Sequence, residues 1–254
     1  MIISFANQKG GVGKTTSAIN VASSLGFCGK KVLLCDLDPQ SNASSGVGLK
    51  KQEITISAYD VLIGRNAPRD AIVKTKYTNL WVLPSNIELA GAEIELVDDD
   101  VVQRVSRLKN ALKKISSEYD YIIIDCPPSL GILTLNALNA SDYVIVTMQC
   151  EYFALEGLSQ LNNTLRQVKR IYNPTIELGG ILLTMFDGRL NLTMQVLDDL
   201  KKHFPDKIFK TPVPRTVRVS EAPSYGMPIN YYDKSSKATD SYLSIAKEII
   251  QKLK

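Results

Sequence analysis

Between Gln8 and Thr16 the chain reads Gln8-Lys9-Gly10-Gly11-Val12-Gly13-Lys14-Thr15-Thr16. Its glycines let the backbone turn consecutive N–H groups toward one point, and a helix beginning there favours negative charge at its N-terminus. Lys14 can then reach the β- and γ-phosphates of a nucleoside triphosphate, and Thr15 can offer its hydroxyl to Mg²⁺. The expected phosphate cradle is therefore Gly10, Gly11, Val12, Gly13, Lys14, Thr15 and Thr16. The common phosphate-loop pattern has a glycine six residues before its lysine, where this chain has Gln8. What it has in addition is Lys9, a second cation too early in the loop to duplicate Lys14. A lone GxGxxG would carry little weight. Gly-Gly-x-Gly-Lys-Thr-Thr between an apolar β-type run and a helical pattern carries much more.

Two further apolar runs end in acids. One is Val32-Leu-Leu-Cys-Asp36-Leu-Asp38-Pro-Gln40, the other Tyr121-Ile-Ile-Ile-Asp125-Cys-Pro-Pro-Ser129. An aspartate closing a strand beside a phosphate loop is suited to ordering the water shell of Mg²⁺, which points to Asp125. Asp36 is expected to support that shell, and Asp38, nearer the loop, to position or polarise the attacking water. The two are expected to turn their carboxylates to opposite sides. Pro127-Pro128 stiffens the segment after Asp125, as a loop that senses the γ-phosphate requires.

These groups need a scaffold that brings strand ends together. Apolar β-type runs fall at Ile2–Ala6, Val32–Leu37, Leu80–Leu83, Tyr121–Asp125, Tyr143–Met148, Gly180–Met185 and Ile208–Thr211. Helical spacing lies between most of them, at Thr16–Phe27, Val102–Ser117, Thr134–Ala140, Leu155–Tyr172, Asn191–His203 and Ser236–Leu253. Continuous apolar strands suit a parallel sheet covered on both faces. The alternation implies a doubly wound α/β sheet, mostly parallel, with ligands at the carboxyl ends of its strands. Ser41–Ile56, Pro84–Asp100 and Pro212–Asp233 read as long functional loops on a single domain covering residues 1–254.

The composition fits that scaffold. A chain of 254 residues, 44% hydrophobic and 22% charged, resembles ordinary globular proteins. No apolar run approaches the ~20 residues that span a bilayer, and a β-type run at the very start leaves no room for a signal peptide. Four cysteines without CxxC spacing and one histidine argue against zinc and for thiols in a reducing cytoplasm. The net charge of +4 is unevenly placed: from Asp187 to Lys254 there are 12 Lys+Arg against 8 Asp+Glu, which is the whole excess.

Taken together, Lys9–Thr16, Asp36-Leu-Asp38-Pro-Gln40, Ile124-Asp125-Cys-Pro-Pro-Ser129, Leu183-Thr-Met-Phe-Asp187 and Pro214-Arg-Thr-Val-Arg-Val-Ser-Glu-Ala-Pro223 resemble the ParA/Soj family of chromosome- and plasmid-partitioning ATPases. Gln149–Gly157 and Leu89–Leu96 resemble it too, so the likeness is colinear over nearly the whole chain. It implies a deviant-Walker P-loop ATPase with ATP and Mg²⁺ as cofactors and weak intrinsic hydrolysis. Lys9 would cross to the ATP of a second copy in a sandwich homodimer, like an arginine finger in trans, with Glu151 assisting. The adenine would rest near Met185 and the Pro212-Val213-Pro214 turn. The resemblance also implies non-specific duplex DNA binding through Arg189, Arg215 and Arg218, held by phosphates and weakened by salt. A ParB-type centromere-binding partner would stimulate hydrolysis, and the protein would be cytoplasmic and nucleoid-associated, without a membrane partner.

Rivals exist within the same class. A MinD-like membrane-associated positioning ATPase needs a C-terminal helix able to lie in lipid, and Tyr242, Leu243, Ile245, Ala246, Ile249, Ile250 and Leu253 do form an apolar stripe. Such a stripe is expected instead to pack on the sheet. A nitrogenase-iron-protein-like redox role would need a cysteine seven residues beyond Asp125, where this chain has Ile132. For an ATP-dependent ligase or amidase of the same fold, no nucleophile motif is present.

Overall fold

The computed structural model describes residues 1–98, 100–151 and 154–253. Tyr152 and Phe153, within the segment expected at a dimer face, lie outside the described residues, as do Asp99 and Lys254. One sheet runs in the order β3-β4-β2-β5-β1-β6-β7. Its strands are β1 (Ile2–Ala6), β2 (Val32–Asp36), β3 (Val73–Lys74), β4 (Leu80–Leu83), β5 (Tyr121–Asp125), β6 (Tyr143–Met148) and β7 (Glu177–Leu183). All neighbours are parallel except the edge pair β3 and β4. The doubly wound α/β expectation therefore holds, with an antiparallel edge strand added.

The helices in chain order are α1 (Lys14–Phe27), α2 (Asn42–Gly46), α3 (Ala58–Ile63), α4 (Pro68–Ala71), α5 (Leu89–Glu95), α6 (Val101–Lys113), α7 (Ile132–Ala140), α8 (Ala154–Ile171), α9 (Asn191–His203), α10 (Val217–Glu221), α11 (Ile229–Tyr232) and α12 (Lys237–Lys252). Alternate strand residues serve two cores. Ile3, Phe5, Val32, Leu34, Tyr121 and Ile123 pack with α1 and α12, while Leu33, Cys35, Ile122 and Ile124 face α6, α7 and α8. The period of two then has a consequence for chemistry: Asp36 and Asp125 continue the Val32/Leu34 and Tyr121/Ile123 rows, on the face that carries α1. Because β1 is an interior strand between β5 and β6, the loop from β1 to α1 opens on the carboxyl edge with a strand end on either side.

Some boundaries differ from the sequence reading. Ile208–Thr211 is not a sheet strand. Ile208 forms a single parallel bridge with Ile181, and Pro212, which has no N–H to donate, closes the segment. β7 starts at Glu177, which pairs with Tyr143, and ends at Leu183 rather than Met185. Met185 itself sits at φ 50°, outside strand geometry. The three expected long loops are largely helical, containing α2, α5, α10 and α11. These helices have four to seven residues, too short for the sequence to show helical spacing.

α12 decides one question directly. Ser236 caps it by accepting the Thr239 N–H at 3.1 Å. Tyr242, Ile245, Ala246 and Ile249 are buried in the core shared with α1. Turning that stripe toward lipid would give up about 1.5–3 kcal/mol for each large side chain exposed. Among the described residues, no helix is long and apolar enough to cross a membrane.

Candidate active site

Gly11 and Gly13 adopt φ of 73° and 80°, the left-handed conformation that lets the loop after β1 fold back on itself. Above Gly10 and Gly11 there is open space where side chains would stand. Gly13 is the N-cap of α1 and brings no side-chain acceptor, so the first N–H groups of the helix are left for a ligand. Lys14 is buried and its Nζ donates to the Lys9 carbonyl at 3.0 Å, arching over the loop. Burial lowers the Lys14 pKa, and Asp125 is the foremost charge opposing that shift.

The loop is clamped by residues that the sequence reading did not single out. Asn7 donates to the Thr147 carbonyl at 2.7 Å and accepts the Lys9 N–H at 3.0 Å. Thr184 Oγ1 donates to the Val12 carbonyl at 2.8 Å, and Gln149 Nε2 to the Gly11 carbonyl at 3.0 Å. Asn7, Gln149 and Thr184 each occupy the first position after a strand, following β1, β6 and β7. That position was the available signal: polar residues just past parallel strands stand where such sheets bind ligands.

The acids divide sharply. Asp36 and Asp125 are in register on adjacent strands, and both are fully buried. Asp36 Oδ1 accepts the Asp38 N–H at 3.1 Å, and its Oδ2 accepts both the N–H and the hydroxyl of Ser44 at 2.7 Å. Burial nevertheless raises its pKa to about 6. Neither carboxylate oxygen of Asp125 has a hydrogen-bond partner. Burial, then the charge of Asp36, pushes the Asp125 pKa well above the usual carboxylate range. The Thr15 side chain lies close enough to pull it down in part without meeting hydrogen-bond geometry, and Lys14 helps. Asp38 accepts the Gln40 N–H at 2.9 Å and is also nearly buried. The expected opposition of Asp36 and Asp38 is corrected: β2 stops at Asp36, and both acids act on Asp125. Residues two apart on a strand share a face, so alternation gives no ground for that opposition.

Magnesium nucleotide fits this donor set. An unpartnered buried carboxylate is costly; a hydrated divalent ion held by Asp125 and Thr15 would satisfy it, and the uncapped helix and Lys14 would meet phosphates. Asp36, its lone pairs already engaged by three donors, fastens the β2 end to α2 beside that site.

Lys9 points elsewhere: its Nζ pairs with Glu151, with both side chains about half exposed. Beside the phosphate loop runs a cleft of about 380 Å³. Gly13, Thr16, Met185, Val213, Pro214 and Val219 are among the residues that line it. Pro212 is not among the residues lining it. The segments meet because the Phe186 N–H donates to the Val213 carbonyl at 2.9 Å, bridging the ends after β7 and before α10. The three arginines expected on DNA have different surroundings. Arg189 pairs with Asp187 at 2.6 Å, and Arg218 with Glu221 at 3.2 Å and Asp233 at 3.6 Å. Arg215 lines the cleft instead.

Known proteins resemble this chain in sequence and fold. An AAA domain family matches residues 1–178. The sporulation initiation inhibitor protein Soj of Bacillus subtilis is 53% identical, covering 98% of this chain and 97% of its own. The chromosome partitioning protein ParA of Myxococcus xanthus is 50% identical, covering 99% and 88%. Among solved structures, the cobyrinic acid a,c-diamide synthase of Mycobacterium smegmatis with a bound ATP analog and magnesium superposes with a TM-score of 0.88, 37% identity and coverage of 98% and 94%.

Proposed function

Because the chain belongs to the ParA/Soj family of partitioning ATPases, we propose that it is a switch whose ATP-bound homodimer holds duplex DNA and lets go on hydrolysis. It binds ATP with Mg²⁺ and is an ATP hydrolase. Its whole length, residues 1–254, acts as one ATPase domain. Lys14 and the N–H groups of Gly10–Thr16 bind the phosphates. Thr15 and Asp125 hold the metal, which supplies positive charge against the phosphate oxygens, and Asp36 supports them by fixing the β2 end. Asp38 positions water. Met185, Val213 and Pro214 bear on the adenine, and Pro212 shapes the turn that presents them.

The observation that carries the switch is the placement of Lys9. Lys14 already occupies the position over the chain's own loop, and Lys9 reaches outward to the exposed Glu151. A cation presented outward from a phosphate loop is suited to the nucleotide of a second copy, which links dimerisation to the triphosphate state. The DNA surface consists of Arg189, Arg218 and the lysines at the end of α9 and beyond, Lys201, Lys202, Lys207 and Lys210. A ParB-type centromere-binding protein completes the catalytic geometry and releases the dimer. The site of action is the cytoplasm, on the nucleoid. The two partitioning relatives, at 53% and 50% identity, outweigh the diamide synthase at 37%. The buried α12 stripe speaks against a MinD-like lipid anchor.

Co-sedimentation with plain duplex DNA and with liposomes, each with and without ATP, tests this reading. ATP-dependent pelleting with DNA alone is expected; pelleting with lipid alone would replace it by the membrane alternative. Lys9→Ala should retain ATP binding yet stay monomeric by light scattering. A normal ATP-dependent dimer from that variant would remove the sandwich.

A further inference from the structure

Arg189, Arg215 and Arg218 lie close together in sequence, yet only two of them are neutralised. Asp187 takes Arg189 through two hydrogen bonds, at 2.8 and 2.6 Å. Glu221 and Asp233 take Arg218. Arg215 has no hydrogen bond or ion pair among the described residues, and it forms part of the wall of the cleft that opens from Gly13 and Thr16.

We infer that Arg215 is a base-binding residue of the nucleotide site, its guanidinium lying over the purine ring, and not a DNA contact. The inference rests on reading the cleft as the base-binding end of the ATP site. The phosphate end is fixed by Gly10–Thr15, so a nucleotide that continues past Thr16 enters this cleft with its base and sugar. Its volume of about 380 Å³ falls within the range for small-molecule sites. Val213, Pro214, Val219 and Pro223 offer flat or branched apolar surface, which suits a heteroaromatic ring and not a triphosphate. A planar, weakly hydrated cation among them is suited to stacking on that ring. A duplex backbone, by contrast, attracts cations that project from a convex surface, and Arg215, although exposed, belongs to the lining of a cleft. Arg189 and Arg218 can exchange their acid partners for phosphates; Arg215 has none to exchange.

The experiment compares Arg215→Ala with wild type by calorimetric titration of Mg-ATP and of inorganic tripolyphosphate, and by DNA binding at saturating ATP across a salt series. ATP affinity should fall roughly 3- to 30-fold, the range for a cation over an aromatic ring. Tripolyphosphate affinity and the slope of DNA affinity against salt should stay as in wild type. Arg215→Lys should recover only part of the ATP affinity, because an ammonium does not stack. Unchanged ATP affinity with a shallower DNA salt slope would overturn the inference and return Arg215 to the DNA surface. Equal weakening of ATP and tripolyphosphate would overturn it in favour of a phosphate contact. Ser220→Trp, at an exposed position that also lines the cleft, separates a misassigned Arg215 from a misassigned cleft. If Ser220→Trp weakens ATP and Arg215→Ala does not, Arg215 alone is misassigned. If neither does, the cleft is not the base site.

Discussion

The ends of β2 and β5 carry the same residue at the same height. Asp36 and Asp125 are neighbours in register, fully buried, and both held above the usual carboxylate range. Three donors, one from Asp38 and two from Ser44, converge on Asp36, and none reaches Asp125. The β2 end is thus a finished structural joint, and the β5 end is left unfinished, with both carboxylate oxygens unpartnered. Burial and charge alone would not tell them apart. What separates a fastening acid from a working one is whether the chain has already spent its lone pairs.

The comparison can be tested from several sides. The largest effect is expected at Lys14, the cation that Asp125 opposes across the loop. Lys14→Ala should weaken Mg-ATP binding by roughly 10³-fold, the loss of several charge-assisted hydrogen bonds in a shielded site, as read by calorimetry. Retained micromolar binding would show that the loop N–H groups suffice without it. Next, Asp36→Asn should destabilise the nucleotide-free protein by about 2–4 kcal/mol in urea unfolding, because an amide cannot accept from all three donors and leaves buried N–H groups unpaired.

Asp125→Asn should do the opposite. Removing an unpartnered buried carboxylate should stabilise the nucleotide-free protein by about 1–3 kcal/mol, while ATP hydrolysis falls about 100-fold. If both aspartates shift stability in the same direction, the distinction between the two strand ends collapses.

The pH dependence follows with its sign fixed. Asp36 has an ordinary value of 3.8 and a folded value of about 6. In the unfolded chain it loses its proton first as pH rises, so the folded state binds more protons between those values and stability falls across that window. The fall amounts to on the order of 2–3 kcal/mol for Asp36. Asp125, also raised, extends it upward. The urea midpoint of the nucleotide-free wild type should therefore drop between pH 5 and pH 8 more than that of Asp125→Asn. Parallel curves would mean that Asp125 is not ionised against its burial. The smallest effect is expected for Ser44→Ala, about 1–2 kcal/mol, since it removes one of the donors to Asp36 and the acceptor of the Ser85 N–H at 3.0 Å.

Much of this was legible before the chain was folded. The phosphate loop, the acid-terminated strands and the parallel architecture follow from short stretches, and each of β1, β4, β5 and β6 lies where its apolar run places it. Less legible were elements with too few residues to show a period, such as α2, α10 and the two-residue β3. In the site, the clamping role of Asn7, Gln149 and Thr184 was not legible, because it depends on a loop brought to them from elsewhere. Thr184 meets Val12 across 172 positions of sequence, and Gln149 meets Gly11 across 138.

The sequence by itself determined what the loop can bind, which fold must carry it and which family it belongs to. These depend on backbone preferences and spacings within a few residues, which covalent connection enforces. Tertiary structure decided which aspartate is left free, that Lys9 rests on Glu151, that the α12 stripe faces the core and that Arg215 lines the cleft beside the phosphate loop. Each of those turns on whether a side chain finds a partner, and the partners are supplied by segments that only folding brings within reach.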